Sequence, residues 1–399
     1  MKKVYVIGMG AGAETLTLEA REALGKAEVL IGPQGLLDQY GDGSKPAFPY
    51  YFSDDVALVI EAETAQVFAV LVSGDVGFYS GAAGLGEAFA SYELRFIPGV
   101  STVCAFFARL RLSWHDAAFV SMHGRNMNIA DTVRRSRLTF CLAGNNVNDI
   151  GTLLVNAGLK HIKTHVGENL GMADERIYET DAESLAFGNY PSLTVLLFSN
   201  ESYDDRTRFG LPDADFARLP GVPMTKSETR AIILSKLSLR PTDICWDVGA
   251  GTGSVTVEMA LGAYRSHVYS IERREDAVSL IEKNCVSFQL GNVTIVHGEA
   301  PGELVKLPVP DTVFIGGSGG HIDDIISAVI TKNPEARIVL AAITLETISA
   351  ALKTLSKAGL EFDATELNVA RSKKTGELHL LEAMNPVTII RAGGARDDK

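Results

Sequence analysis

The chain has 399 residues, of which 46% are hydrophobic and 22% charged, and its 37 basic and 49 acidic side chains give a formal net charge of −12. At roughly 100–200 residues per domain, this length predicts two or three domains, two being the simplest count. The composition is that of a globular chain; no run approaches the roughly 20 apolar residues of a membrane span, so no membrane segment is expected. Acidity is concentrated before the middle of the chain, with 15 basic against 25 acidic residues up to Asp205. That balance disfavours a nucleic-acid backbone as partner, because phosphate binding needs a basic surface. "MKK" has the basic start of a signal peptide, but "VYVIGMG" runs straight into a glycine turn and no cleavage site follows; a cytoplasmic protein is expected. Cys104, Cys141, Cys245 and Cys285 stand singly, without the CxxC spacing of a metal or redox site, and are expected to be buried free thiols and no metal ligands.

Short β-like runs alternate with helical patterns along the whole chain, which predicts an α/β fold with largely parallel sheets. In order, "KVYVIG", "AEVLIG", "QVFAVLVSG" and "YELRFIPG", then "AAFVSMHG", "LTFCLAG", "HIKTHVGEN" and "LTVLLFSN", read as two small α/β lobes joined near Ser113 to Ala117. "YDDRTRFGLPDADFARLPGVPMTKSE" has three prolines and little apolar periodicity, and reads as a linker. It places domains at 1–205 and 222–395, with 206–221 between them. Beyond it, "DICWDVG", "HVYSIE", "VTIVHG", "DTVFIGG" and "ARIVLAA" form a doubly wound pattern. "EFDATELNVARS" and "LHLLEAMNPVTII" follow with no helix between them, so an antiparallel pair is expected to close the sheet.

Two glycine turns punctuate these patterns. The later one places Gly249, Gly251 and Gly253 between an apolar strand and the helical run "SVTVEMAL", so that backbone can approach a ligand closely; a tight turn without a ligand is the plain alternative. Its spacing is GxGxG, with Ser254 where a dinucleotide fingerprint needs its last glycine, and no lysine follows as in a P-loop. What remains is a cofactor with a ribose and no pyrophosphate. Glu272, ending the next strand, is placed to accept from both ribose hydroxyls, or else is a solvated strand-end glutamate. The earlier turn has glycines 8, 10 and 12, but its next strand ends in Gly32 and the spacing fails at Ala13, so a dinucleotide site fits poorly there as well.

"PMTKSETRA", "DVGAGTGSVTVEMA", "GEAP", "IGGSGGH", "ITLET" and "TELNVARS" occur in that order over residues 222 to 393. They resemble the class I S-adenosylmethionine methyltransferases, and more narrowly the corrin-pathway module that methylates carbon 15 of the macrocycle. The resemblance implies a Rossmann-like fold in which Thr225, Gly249, Ala250, Gly251, Thr252, Gly253, Glu272 and Ala300 contact S-adenosyl-L-methionine. Gly317, Ser318 and Gly319 offer no side chain to orient an amine, and read as a smooth wall for a bulky anionic substrate or as a flexible loop. A macrocycle carrying its own carbon nucleophile needs positioning more than a strong base; His321 is a candidate proton shuttle or a structural helix-start histidine. Arg371, Lys373 and Lys374 are candidates for pairing with peripheral carboxylates, the alternative being a solvated loop.

"VIGMGAGAET", "LVSGDVGFYSGAAGL", "FIPGVSTVCAFFARL" and "SMHGR" resemble the class III tetrapyrrole methyltransferases, whose two α/β lobes hold S-adenosylmethionine between them. The match covers residues 1 to 201 and departs from the family at Ala11 and Val76, where proline is usual. It implies cofactor contacts from Gly10, Ala11, Ser73, Gly74, Asp75, Ser101, Thr102 and Ala143, and substrate contacts from His123 and Arg125. Asp75 is a catalytic candidate, with a turn-capping aspartate as the alternative. Together the halves imply two cofactors per chain and one corrin-precursor macrocycle methylated at carbons 5 and 15, with loss of carbon dioxide from the ring C acetate. The macrocycle with or without cobalt stays open, as does an RNA methyltransferase, which would need a basic stripe. No membrane or nucleic-acid partner and a homo-oligomer are expected.

Overall fold

A computed structural model describes residues 1–50, 53–89, 91–122, 127–205 and 209–394. By backbone contacts the chain divides into one unit of residues 1–126, 136–150 and 162–201 and a second of 127–135, 151–161 and 202–399. Segments 127–135 and 151–161 thus group with the C-terminal unit, a division that the linear pattern of strands and helices does not carry.

The first unit contains two five-stranded sheets. β1 (Lys3–Gly8), β2 (Val29–Gly32), β3 (Ala47–Pro49), β4 (Val67–Val72) and β5 (Glu93–Ile97) are all parallel, in the order β3-β2-β4-β1-β5. Alternation along these strands sorts the core onto two faces: Val4, Val6, Phe68 and Val70 pack on one, Tyr5, Ile7, Ala69 and Leu71 on the other. Burial on both faces is why "VYVIG" reads as a continuous apolar run. β6 (Ala118–Ser121), β7 (Leu138–Leu142), β8 (Lys163–Glu168), β9 (Arg176–Asp181) and β10 (Thr194–Ser199) form the second sheet, in the order β6-β7-β10-β8-β9, with only β6 and β7 parallel. β3 and β9 are additions to the eight expected strands. β3 has three residues, and β9 reads "RIYETD" with no fully buried position.

The second unit has β11 (Cys245–Val248), β12 (Val268–Glu272), β13 (Val293–His297), β14 (Thr312–Ile315), β15 (Arg337–Ala342), β16 (Phe362–Leu367), β17 (Ala370–Thr375), β18 (Leu378–Ala383) and β19 (Val387–Ala392). Seven of these make a sheet in the order β13-β12-β11-β14-β15-β19-β16, whose first five members are the expected doubly wound set. The closing antiparallel pair is β19 with β16. Each of the two long closing runs nevertheless splits, and β17 and β18 form a separate exposed hairpin.

The expected linker behaves otherwise. Leu211 and Phe216 are buried in the same cluster as Ile233, Val257 and Phe314. Glu258, itself buried, accepts from the amides of Gly210 at 2.7 Å and Leu211 at 2.9 Å, and Asn284 bonds both the amide and the carbonyl of Ala217. Arg230, without solvent exposure, pairs with Glu258 and donates to the Leu211 and Thr225 carbonyls. Residues 209–217 are therefore part of this unit's core; the three prolines and the charges hid two core side chains.

Among the cysteines, Cys104 is exposed and the other three are buried free thiols. No helix among the described residues is long and apolar enough to cross a membrane.

Candidate active site

At the carboxyl edge of the seven-stranded sheet, β11 runs out at Val248 into Gly249. A Cβ there would lie 2.4 Å from the Gly317 carbonyl oxygen, and φ is +73°; both demand glycine. The chain then passes within the same kind of distance of the Pro223 carbonyl at Gly251 and enters the helix Ser254–Gly262, which begins at Gly253 without a side-chain cap. Such an end favours an anionic ligand group. A cavity of about 290 Å³ opens over these turns, near the low end of the roughly 300–1,000 Å³ of small-molecule sites. Thr225, Gly249, Ala250, Gly251, Glu272, Ala300, Gly317, Ser318 and Gly319 line it, as do Pro223, Arg273 and Glu299.

Glu272 is only 7% exposed. Its Oε2 accepts from the Gly251 amide at 2.9 Å, and its Oε1 accepts from the Arg273 and Arg274 amides, each at 2.9 Å. Three of its roughly four acceptor positions are thus filled by backbone, leaving one on Oε2 for a ligand hydroxyl. In this arrangement the residue shapes the glycine loop as well as facing the cavity, and it offers one hydroxyl contact where two were expected. Behind the loop, Asp247 is wholly buried and its Oδ2 accepts from Thr256 Oγ1, which also lies 2.9 Å from Ser270 Oγ. Its Oδ1 has no partner among the described residues, and burial pushes the carboxyl up to about 7. Thr252, also fully buried, leaves its hydroxyl unpartnered among the described residues.

In the first unit, the ends of the parallel strands β1, β4 and β5 meet backbone to backbone. A Cβ on Gly99 would stand 2.2 Å from the Gly74 carbonyl and 2.6 Å from that of Gly8. Gly10 and Gly74 exchange amide bonds at 3.0 and 3.2 Å. Asp75 ties this meeting together, accepting from Gly77 N at 2.9 Å and from Gly99 N at 3.1 Å. That is the turn-capping role, extended to a second loop. Ser73 is exposed beside it. Ala11 is buried, and its carbonyl occupies the place where Gly171 would carry a side chain. Ser101 caps the helix Thr102–Leu110 by accepting from Cys104 N at 3.2 Å. Ala143 is buried at the end of β7 and donates to the Thr194 carbonyl at 3.3 Å.

A profile of the tetrapyrrole (corrin/porphyrin) methylases matches residues 3–186, and one of the precorrin methyltransferase domain matches residues 220–393. The "Probable cobalt-precorrin-6B C(15)-methyltransferase (decarboxylating)" of Pyrobaculum calidifontis is 42% identical over 185 residues, spanning 46% of this chain and 95% of that protein. The chain belongs to the precorrin methyltransferase family. Over 96% of its length it is also 29% identical to the precorrin-6Y C(5,15)-methyltransferase [decarboxylating] of a Sinorhizobium species, of which it covers 94%. A crystal structure described as precorrin-6Y C5,15-methyltransferase from Geobacter metallireducens is 39% identical over 47% of this chain and 97% of that one, with a TM-score of 0.44.

Other expected site residues of this methyltransferase lie elsewhere. His321 is half exposed at the start of the helix Ile322–Lys332, 3.6 Å from Asp324, and does not line the cavity; its position is that of a structural helix-start residue. Arg371 is taken up within its own unit: it pairs with Glu228, bonds Asp213 at 2.9 Å and donates to Ser227 Oγ at 3.1 Å. The guanidinium holds the Glu228 carboxyl down at about 2. Lys373 pairs with Glu382 at 3.0 Å on the exposed hairpin. Neither cation faces the cavity, because acidic neighbours from their own unit satisfy them first. His123 and Arg125 lie outside the described residues. Conversely, Arg273 and Glu299, paired at 2.8 Å at the cavity mouth, were missed. Their only signal was adjacency, one residue after Glu272 and one before Ala300.

Proposed function

We propose that this chain methylates one corrin precursor at two positions. The C-terminal half methylates carbon 15 and releases carbon dioxide from the ring C acetate, and the N-terminal half methylates carbon 5. The observation that carries this reading is the pair of glycine cradles on separate sheets, each in a segment similar to a different methylase family. The near full-length relative named for both carbons supports it. S-adenosyl-L-methionine supplies an electrophilic sulfonium methyl, and one molecule is assigned to each half. In the C-terminal half, Gly249 to Gly253 and Glu272 hold and orient it, and the wall Gly317 to Gly319, whose one side chain is the small Ser318, lets a flat acceptor approach. In the N-terminal half, Gly10, Ser73, Gly74, Ser101, Thr102 and Ala143 are the assigned contacts, while Asp75 fixes the loops. The new carbon–carbon bond forms at the macrocycle as the sulfur–methyl bond breaks and its electron pair stays on sulfur; proximity drives the step. Loss of carbon dioxide leaves its electron pair in the conjugated ring, where a proton is taken up.

A cytoplasmic homo-oligomer is part of the proposal. Leu378, Leu380 and Leu381 stand 68%, 54% and 77% exposed on β18, the apolar strand of the hairpin, and exposed apolar strands of this kind are covered by self-association.

Mass spectrometry of precorrin-6Y, and in parallel of its cobalt counterpart, incubated with the chain and S-adenosylmethionine tests the reading. Two methyl additions and one loss of carbon dioxide are expected. Gly10→Val places a Cβ 2.3 Å from Thr15 Oγ1 at φ +73° and is expected to stop the reaction after one methylation with decarboxylation. A wild-type product carrying one new methyl group would refute the double reaction.

A further inference from the structure

The sheet order β13-β12-β11-β14-β15 divides its carboxyl edge into two sides. Glu272, Arg273 and Glu299 close the cavity on the β12–β13 side, a charged border suited to a polar cofactor. On the opposite side β14 ends in the Gly316–Gly319 turn, whose one side chain is Ser318, and β15 lies directly beside it, with Ile315 opposite Leu340. Ligands of open α/β sheets lie across this crevice, so the acceptor must lie over the β14–β15 side.

At that place the chain exposes two large aliphatic residues. Ile343 is 68% and Leu345 81% exposed, immediately after β15. Between them Thr344 caps the helix Leu345–Lys357, accepting from Thr347 N at 3.3 Å. Helix-start packing against Ile348, one turn in, gives Ile343 a partial structural reason. Leu345, at the first helical position, has none: a polar residue would serve the cap as well, and this leucine is more exposed than any of the three on the hairpin.

We propose that Ile343 and Leu345 form the apolar platform on which the face of a flat conjugated macrocycle lies, its reacting edge turned toward the Gly316–Gly319 wall. The inference rests on the methyl-transfer reading above and adds the residues that recognise the acceptor. A platform of branched aliphatics discriminates for a planar ring by area, while carboxylates at the ring's periphery stay in water. The two residues follow β15, whose end neighbours the end of β14 at the same sheet edge as the cavity, and that placement favours the acceptor as occupant over a second copy of the chain.

The test uses the full chain and the release of carbon dioxide from precorrin-6Y, which reports the C-terminal half alone. Ile343→Ser/Leu345→Ser, changing two exposed positions outside the cap, is expected to raise KM about tenfold or more, with kcat changed less and with unaltered affinity for S-adenosylhomocysteine. Leu345→Phe, which keeps apolar area, is expected to retain the wild-type KM. An unchanged KM in the double variant overturns the platform, as does a change confined to sedimentation behaviour, which would assign the leucine to an interface between copies. A wild-type chain that releases no carbon dioxide overturns the methyl-transfer reading and the platform with it.

Discussion

Arg230 and Glu258 form an ion pair from which solvent is wholly excluded on both sides. The pair joins two helices, Ser227–Leu237 and Ser254–Gly262, and its remaining hydrogen-bonding capacity goes to the backbone of Gly210, Leu211 and Thr225. Removing Glu258 leaves the buried guanidinium with Asp213, 3.6 Å away, as its remaining carboxylate and takes the acceptor from two amides, so Glu258→Ala is expected to cost about 3 kcal/mol. Urea unfolding measures it. Arg230→Met/Glu258→Met should be less damaging than either single change; a single-variant cost under about 1 kcal/mol would mean that the pair is not desolvated as described.

The same contacts set the start of a self-sufficient C-terminal fragment. A chain beginning near Leu219 lacks Leu211 and Phe216 from the core, takes both amide donors from Glu258, and leaves Asn284 with only the Thr252 carbonyl as backbone partner. One beginning at Ser202 keeps them. The shorter fragment is expected to unfold at lower temperature or to aggregate, and the longer one to melt cooperatively, as calorimetry of the two would read. Equal melting would show that residues 209–217 contribute nothing.

Glu272→Ala removes the proposed ligand acceptor and, in the same change, the partner of the Gly251 amide. A hydrogen bond to a charged group contributes about 1.5–3 kcal/mol, so affinity for S-adenosylhomocysteine in this half should fall at least tenfold. Isothermal titration of the full chain should then lose one of two binding events while the other keeps its constant. Full retention of both would reduce Glu272 to a loop brace.

Asp247 gives the protein a pH dependence opposite in sign to that of a paired carboxylate. Its folded-state carboxyl stands at about 7, against an ordinary value of 3.8. The folded state therefore holds a proton that the unfolded chain has released, and this contribution to stability is complete below about pH 4 and lost as pH rises toward 7. Asp247→Asn, which mimics the neutral acid, should flatten that slope. Denaturant midpoints taken from pH 4 to 8 check it, and parallel curves for the two proteins would exclude the assignment.

Periodicity and glycine spacing carried most of the architecture. The doubly wound order, the two lobes and the cavity-lining Gly249, Gly251 and Glu272 were legible because local pattern sets strand ends and turns, whereas Ala300 came from the family resemblance. What was not legible depended on partners distant in the chain. Leu211 and Phe216 sit in a proline-rich stretch whose burial is decided by Arg230, Glu258 and Asn284. Arg371 read as a free cation because Asp213 and Glu228, more than 140 residues away, are invisible to local reading. The hairpin was hidden because the breaks in the two closing runs, at residues 368–369 and 384–386, are short.

The clamp on Arg371 divides the β17–β18 hairpin into a fixed root and a free tip. Asp213, Glu228 and Ser227 hold the root, whereas Ser372 to Ala383 are exposed throughout. Root and tip therefore answer to different constraints: sequence at the root is tied to the helix beside the cavity, and sequence at the tip only to the self-association proposed for its leucines. The turn at Gly376 is accordingly the place in this unit where a peptide or a reporter can be inserted while the methyl-transfer site is left as it is.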